Sequence, residues 1–137
     1  MERPMKKKIL IVEDHHDCRE ILSLLLTRIG YHAIKAQNSK DAVAYAEAEE
    51  PALIFMDMEL PDVDGVKTSA LLKQNPKTSH IPIVGLTAWM SELWREKASK
   101  VGITTYLLKP VSCQTLKETV EEFTQESLFR ANPVTLP

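Results

Sequence analysis

Five short apolar runs, each followed by a stretch with helical spacing, constrain this chain more than any other feature. The runs are Lys8 to Val12 (KILIV), Tyr31 to Ala36, Ala52 to Met56, Ile81 to Leu86 (IPIVGL) and Thr104 to Leu108. Most are apolar almost throughout, as strands covered on both faces are; a strand with one wet side would alternate. Helical stripes fall between them. Arg19 to Ile29 places Ile21, Leu22, Leu25, Leu26 and Ile29 on one side and is closed by Gly30. Ser39 to Glu49 carries Ala42, Val43 and Ala46, with Pro51 closing it, and Val66 to Gln74 turns Leu71 and Leu72 inward before Pro76. Ser91 to Val101 ends at Gly102, and Ser112 caps a last helix with Leu116, Val120 and Phe123 on its buried stripe.

Strands alternating with helices predict an α/β fold, a parallel sheet with helices on both faces. The length of 137 residues suits one domain. We place that domain at residues 1–130, with 131–137 as a loose tail. Acids and bases are mixed along the chain, and a net charge of −2 gives no footprint for nucleic acid or an anionic membrane. No apolar run is long enough to span a bilayer, and the N-terminus lacks the apolar segment of a signal peptide, so a cytoplasmic location is expected. Cys18 and Cys113 have no metal-ligand spacing and are expected as free thiols.

The chemistry collects where strands end. In open α/β sheets the ligand site lies beyond the carboxyl ends of the strands. Glu13-Asp14 follow the first run, Asp57 the third, Thr87 the fourth and Lys109 the fifth. Each has a plain reading by itself: a helix start, a turn aspartate before Pro61, a cap, a solvated charge. Their shared position changes the reading. Clustered carboxylates repel one another and raise each other's pKa. A hard divalent cation removes that penalty, and Mg²⁺ (or Mn²⁺) accepts oxygen ligands. Cation, ammonium and hydroxyl together suit a phosphoryl group, and an aspartate among them can be a nucleophile forming an acyl phosphate.

The stretches ILIVED (9 to 14), FMDMELPDVDG (55 to 65), IPIVGLTA (81 to 88) and YLLKPV (106 to 111) resemble the response-regulator receiver domain of two-component signalling, over about residues 7 to 125. EDHHDCREILSLLLTRIGY also resembles stand-alone, chemotaxis-regulator-like receivers. The resemblance implies Asp57 as phosphoacceptor and Mg²⁺ on Asp14, Asp57 and the backbone carbonyl of Glu59, with Glu13 acting through a metal-bound water. It implies Lys109 on the phosphoryl oxygens, and Thr87 and Tyr106 as a switch pair in which the tyrosine swings inward. It implies a flavodoxin-like, doubly wound, five-stranded (βα)5 sheet of strand order 2-1-3-4-5. It also implies a cis Lys109–Pro110 bond, a loop shaped by Pro61 and Gly65, and Glu59 and Trp89 flanking the phosphoryl group, where the indole is expected to exclude water. Such a protein is a signalling switch, not a conventional enzyme. Its partners are a sensor histidine kinase, hybrid kinase or phosphotransfer protein, and a downstream protein target. No direct DNA binding is expected; dimerisation through the face of the fourth helix, fifth strand and fifth helix is a further implication.

His15-His16 read as surface histidines more readily than as metal ligands. Leu93 and Trp94 read either as an exposed contact patch or, for Trp94, as a cover for the tail. Two rival functions remain. A metal-dependent phosphatase with an aspartate nucleophile is matched weakly by DMEL, but that class places the nucleophile after the first strand. A receiver acting as a phosphorylation-independent scaffold conflicts with the complete set of acids, Thr87 and Lys109.

Overall fold

The structure, a computed structural model, describes residues 6–89, 91–103 and 105–130, with side chains described as far as Thr124. The elements alternate as β1 (Lys8–Val12), α1 (His16–Arg28), β2 (His32–Ala36), α2 (Ser39–Glu49), β3 (Leu53–Asp57), α3 (Gly65–Gln74), β4 (Ile83–Thr87), α4 (Glu92–Lys100), β5 (Thr105–Leu108) and α5 (Cys113–Arg130). The strands form one parallel sheet in the order β2-β1-β3-β4-β5. This is the expected flavodoxin-like architecture. The chain order reverses at β1, which opens a cleft between the carboxyl ends of β1 and β3.

The continuous apolar runs have a direct cause. Successive strand residues face opposite sides, and both sides are core. Ile9, Ile11, Leu53, Phe55, Val84, Leu86 and Leu107 pack with Leu22 and Leu26 of α1 and with Leu116 and Val120 of α5. Leu10, Val12, Ile54, Met56 and Ile83 pack on the other face with Ala42 and Ala46 of α2, Leu72 of α3 and Ala98 of α4. Each fully buried Leu or Ile contributes about 1.5–3 kcal/mol. Two apolar helix positions differ from expectation. Ile21 and Leu71 point outward, 57% and 49% exposed. Neighbouring helix residues lie about 100° apart. Once Leu22 and Leu72 face the sheet, Ile21 and Leu71 are turned off the seam.

The helix starts are capped by side chains. His15 Nδ1 accepts from the Cys18 N–H, and Asn38, Asp64 and Ser91 accept from Asp41, Lys67 and Trp94. Ser112 Oγ accepts from the Thr115 N–H, as expected of the cap of α5. His15 is therefore a helix cap. Asp62, in the loop after β3, reaches across to α2 and accepts from the N–H groups of Ser39 and Lys40 at 2.9 and 3.2 Å. Beneath it the Thr68 hydroxyl donates to Ser39 Oγ at 2.8 Å. These contacts fasten the loop after β3 to the neighbouring helix start.

Gly65 sets the closeness of α3 to the end of β3. A Cβ on it would lie 2.3 Å from the Asp57 carbonyl oxygen and 2.7 Å from Met58 Cα, and backbone cannot yield as a flexible side chain can. Gly65→Ala is therefore expected to push α3 off the strand end and lower stability by about 2 kcal/mol, the usual scale for overpacking. Urea unfolding of the two proteins measures this; an unchanged midpoint contradicts the packing argument.

Candidate functional site

The cleft gathers residues that lie far apart in sequence. β1 ends at Val12 and delivers Glu13 and Asp14; β3 ends at Asp57; β4 ends at Thr87; β5 delivers Lys109 one residue past Leu108. Glu13 and Asp57 are buried, at 0% and 3% exposure, whereas Asp14 is exposed. One carboxylate oxygen from each of Glu13, Asp14 and Asp57 lies within 4.8 Å of the others. The Lys109 ammonium sits 2.5 Å from Glu13 Oε1 and 3.4 Å from Asp57 Oδ2. Lys109 is thus closer to Glu13 than to Asp57. The Lys109–Pro110 peptide bond is cis, as expected.

The backbone completes the first ring of contacts. The Glu59 N–H donates to Asp57 Oδ1 at 3.0 Å, and the His15 N–H donates to Glu13 Oε2 at 3.2 Å. Arg19, one turn into α1, donates through Nη1 to the carbonyls of Glu13 and Asp14 at 3.0 and 3.3 Å. It pins the acidic pair from behind without entering the cluster. Arg19 was not among the residues expected at the site; its signal is a guanidinium within the first turn of the helix that follows the acidic pair.

Thr87 is buried beside the cleft, but its hydroxyl serves its own loop. It donates to the Trp89 carbonyl at 2.7 Å and accepts from the Trp89 N–H at 3.2 Å. The Trp89 and Glu59 side chains are exposed, the indole at 68%. Tyr106 is half-buried and its hydroxyl donates to the Ile103 carbonyl at 2.8 Å. Pro61 is exposed, and Leu93 and Leu108 are 61% and 60% exposed. Trp94 is half-buried with the Lys97 ammonium 5.7 Å from its ring centre. A contact of Trp94 with the tail lies outside the described residues. Cys18 and Cys113 are free thiols. His16 faces Arg19, and neither His15 nor His16 joins the carboxylate cluster.

Electrostatics follow from the geometry. Burial, then the hydrogen bond and like charge of Glu13, pushes Asp57 up to about 8, against the Glu59 N–H and Lys109, which act downward. For Glu13 burial acts upward, but bonds from Asp57, Lys109 and the His15 N–H outweigh it and leave its pKa below the usual range. Burial also opposes the charge on Lys109, yet Glu13 and Asp57 hold its pKa above the ordinary value. Without a cation, burial and like charge thus favour the protonated form of Asp57, while Glu13 is held toward its ionised form. An all-oxygen set of carboxylates, short of positive charge, fits a hard divalent cation.

A family model for the response regulator receiver domain matches residues 9–121. The chain belongs to that family. It is 31% identical to the polar-differentiation response regulator DivK of Brucella anthropi over 119 residues, covering 87% of this chain and 97% of that protein. Among solved structures it resembles the chemotaxis protein CheY4 of Vibrio cholerae, with a TM-score of 0.83, 26% identity, and 87% and 99% of the two chains covered. It also resembles the receiver domain of sensor histidine kinase PA1611 from Pseudomonas aeruginosa, solved with magnesium in its active-site cleft, with a TM-score of 0.81, 27% identity, and 88% and 98% covered. The chain is accordingly a two-component receiver, a signalling switch and not a conventional enzyme, and the family implies a histidine kinase as partner. Among the described residues no helix is long and apolar enough to cross a membrane.

The raised Asp57 pKa has a definite sign in stability. The folded state binds the proton more tightly than the unfolded chain, whose aspartate titrates near the ordinary 3.8. Asp57 thus favours folding below about pH 4, and that contribution is lost as pH rises through about 8. In chelator, wild type is expected to lose stability relative to Asp57→Asn across that window, by on the order of a few kcal/mol, with Mg²⁺ restoring much of the loss. Urea unfolding of both proteins at several pH values measures it; a difference that stays flat with pH contradicts the assignment.

Proposed function

We propose that this receiver takes a phosphoryl group from a phosphohistidine of a sensor kinase, hybrid kinase or phosphotransfer protein onto Asp57, and so switches a protein-interaction surface. The observation that carries the reading is a buried aspartate at the end of β3, with an ammonium 3.4 Å from one oxygen and two further carboxylates beside it. A structural aspartate would gain from the ammonium but not from two further carboxylates crowded beside it. A nucleophile that must receive an anion needs the ammonium and a cation.

In this reading an Asp57 carboxylate oxygen attacks phosphorus. A P–O bond forms, the P–N bond to the imidazole breaks, and the electron pair returns to the ring nitrogen, which takes up a proton. Asp14, Asp57 and the Glu59 carbonyl would hold Mg²⁺, with Glu13 acting through water. The cation, when bound, neutralises charge on the transferring oxygens. Lys109 sits where its ammonium can pair with the phosphoryl group once that group draws it from Glu13. Asp57 must be ionised to react, so Lys109 also serves before the reaction, by favouring the carboxylate. The Thr87 hydroxyl, next along the sheet edge, exchanges its bonds to Trp89 for the phosphoryl oxygen.

The output surface in this account is α4, β5 and α5, where Leu93 and Leu108 are exposed and Trp94 and Tyr106 half-exposed. Exposed apolar side chains grouped in this way suit a protein partner, or a second copy of the chain. In this reading the domain is taken as 1–130 and 131–137 as a tail, of which 1–5 and 131–137 lie outside the described residues, and the location is cytoplasmic, where the kinases' phosphohistidines are made.

Incubation with acetyl phosphate and Mg²⁺, followed by intact mass, tests the reading. One phosphoryl group is expected on wild type and none on Asp57→Asn. Equal uptake by the variant contradicts Asp57 as the acceptor. No uptake by wild type from either acetyl phosphate or a phosphorylated histidine donor favours the scaffold alternative.

A further inference from the structure

β4 reads IVGLT, and a glycine in the middle of a strand weakens it unless something else needs the space. Gly85 is not among the residues of positive φ, so backbone freedom does not explain it. Its neighbour does. Gly85 and Tyr106 are register partners across β4 and β5. A Cβ on Gly85 would lie 2.8 Å from Tyr106 Cδ1 and 3.2 Å from Cε1, with Met58 Cε at 3.3 Å. The ring therefore lies over the strand, in the space that a side chain at 85 would fill.

The hydroxyl fixes the direction of the ring. It donates to the carbonyl of Ile103, which precedes β5 and so belongs to the end of the sheet away from the cleft. Thr87 is at the other end, opposite Leu108. Its hydroxyl is bonded within its own loop, to Trp89. The two members of the expected pair thus point apart. Burial also holds the Tyr106 phenol above its ordinary pKa, as expected of a ring packed on the sheet.

We propose that Gly85 is a seat for the Tyr106 ring, which holds the tyrosine away from Thr87 in the unmodified protein and thereby opposes switching. This rests on the phosphoacceptor reading of Asp57. For Tyr106 to follow Thr87 it must give up the Ile103 bond and vacate the seat, leaving an uncovered gap over Gly85. Those contacts exist only in the unmodified state, so they weigh the equilibrium toward it. Gly85 acts here as a positioning residue, through Tyr106 and not on the phosphoryl group.

Four variants of the full chain, Gly85→Ala, Tyr106→Phe, Tyr106→Ala and the Gly85→Ala/Tyr106→Ala double variant, test this, with fluorotyrosine labelling to report on the ring and beryllofluoride plus Mg²⁺ as the phosphoryl mimic. Tyr106→Phe assigns the Tyr106 fluorine signal. In Gly85→Ala that signal should move toward the position of an exposed tyrosine, and beryllofluoride should bind about fivefold more tightly, the scale of one lost hydrogen bond in the resting state. Tyr106→Phe, which loses only the Ile103 bond, should tighten binding in the same direction. Gly85→Ala should lower the urea midpoint in the wild-type background and leave it nearly unchanged in Tyr106→Ala, where no ring is present to meet the methyl group. That double variant stays informative even if Gly85→Ala alone fails to fold. An equal penalty in both backgrounds overturns the seat. Unchanged beryllofluoride affinity in both Gly85→Ala and Tyr106→Phe overturns its role in switching. A wild type that takes up no beryllofluoride overturns the phosphoacceptor reading and the switching role with it, and the fluorine signal and urea midpoints still decide the seat.

Discussion

Two buried carboxyls and one ammonium meet at the carboxyl edge of the sheet, and the site's other features answer to that meeting. Glu13 and Asp57 are carried there by adjacent strands, where their charges repel in a medium poor in water. Lys109, 2.5 Å from one and 3.4 Å from the other, relieves part of the conflict. The backbone N–H groups of His15 and Glu59 relieve more. What is left over favours the protonated form of Asp57, whose pKa is pushed up to about 8. That residual want of positive charge is the property a cation-assisted phosphoacceptor needs, and an ordinary structural cluster would have been satisfied completely.

The surroundings of the cluster are rigid on one side and adaptable on the other. Toward α1, α2 and α3 the site is fastened: Arg19 holds two carbonyls, Asp62 ties the loop after β3 to the start of α2, and Gly65 brings α3 into contact with the end of β3. Toward β4 and β5 the backbone ladder is continuous, but the Thr87 and Tyr106 side chains are held by hydroxyl groups, each donating to a carbonyl it can leave. Hydrogen bonds of this kind contribute about 1 kcal/mol net. In the proposed phosphoacceptor role of Asp57, a phosphoryl group of high charge density can displace such a bond, so this is the side on which a change there would propagate.

The sheet and the site were legible because each rests on a local regularity. Doubly covered strands are apolar throughout, and the cleft residues stand at the ends of those strands. The burial of single helix residues was less legible. Ile21 beside Leu22 and Leu71 beside Leu72 are equally apolar, and only the angle of each helix on the sheet decides which one is buried. Contacts across the fold were illegible for a different reason. Nothing near Asp62 in sequence announces that it caps a helix begun more than twenty residues earlier, and the pairing of Thr68 with Ser39 depends on how two helices lie side by side. Gly85 is an intermediate case. A glycine inside an apolar strand is a visible anomaly, but the ring that requires it comes from the next strand and is identified only by register.

The charge conflict itself can be measured at the atom concerned. Carboxyl-carbon NMR of the chain labelled at aspartate, with Asp57 assigned by comparison with Asp57→Asn, follows its ionisation directly in chelator and in Mg²⁺. Asp57 is expected to titrate near pH 8 without the cation and well below that value when Mg²⁺ is added. An Asp57 that titrates near the ordinary 3.8 in chelator, and does not respond to Mg²⁺, would contradict it.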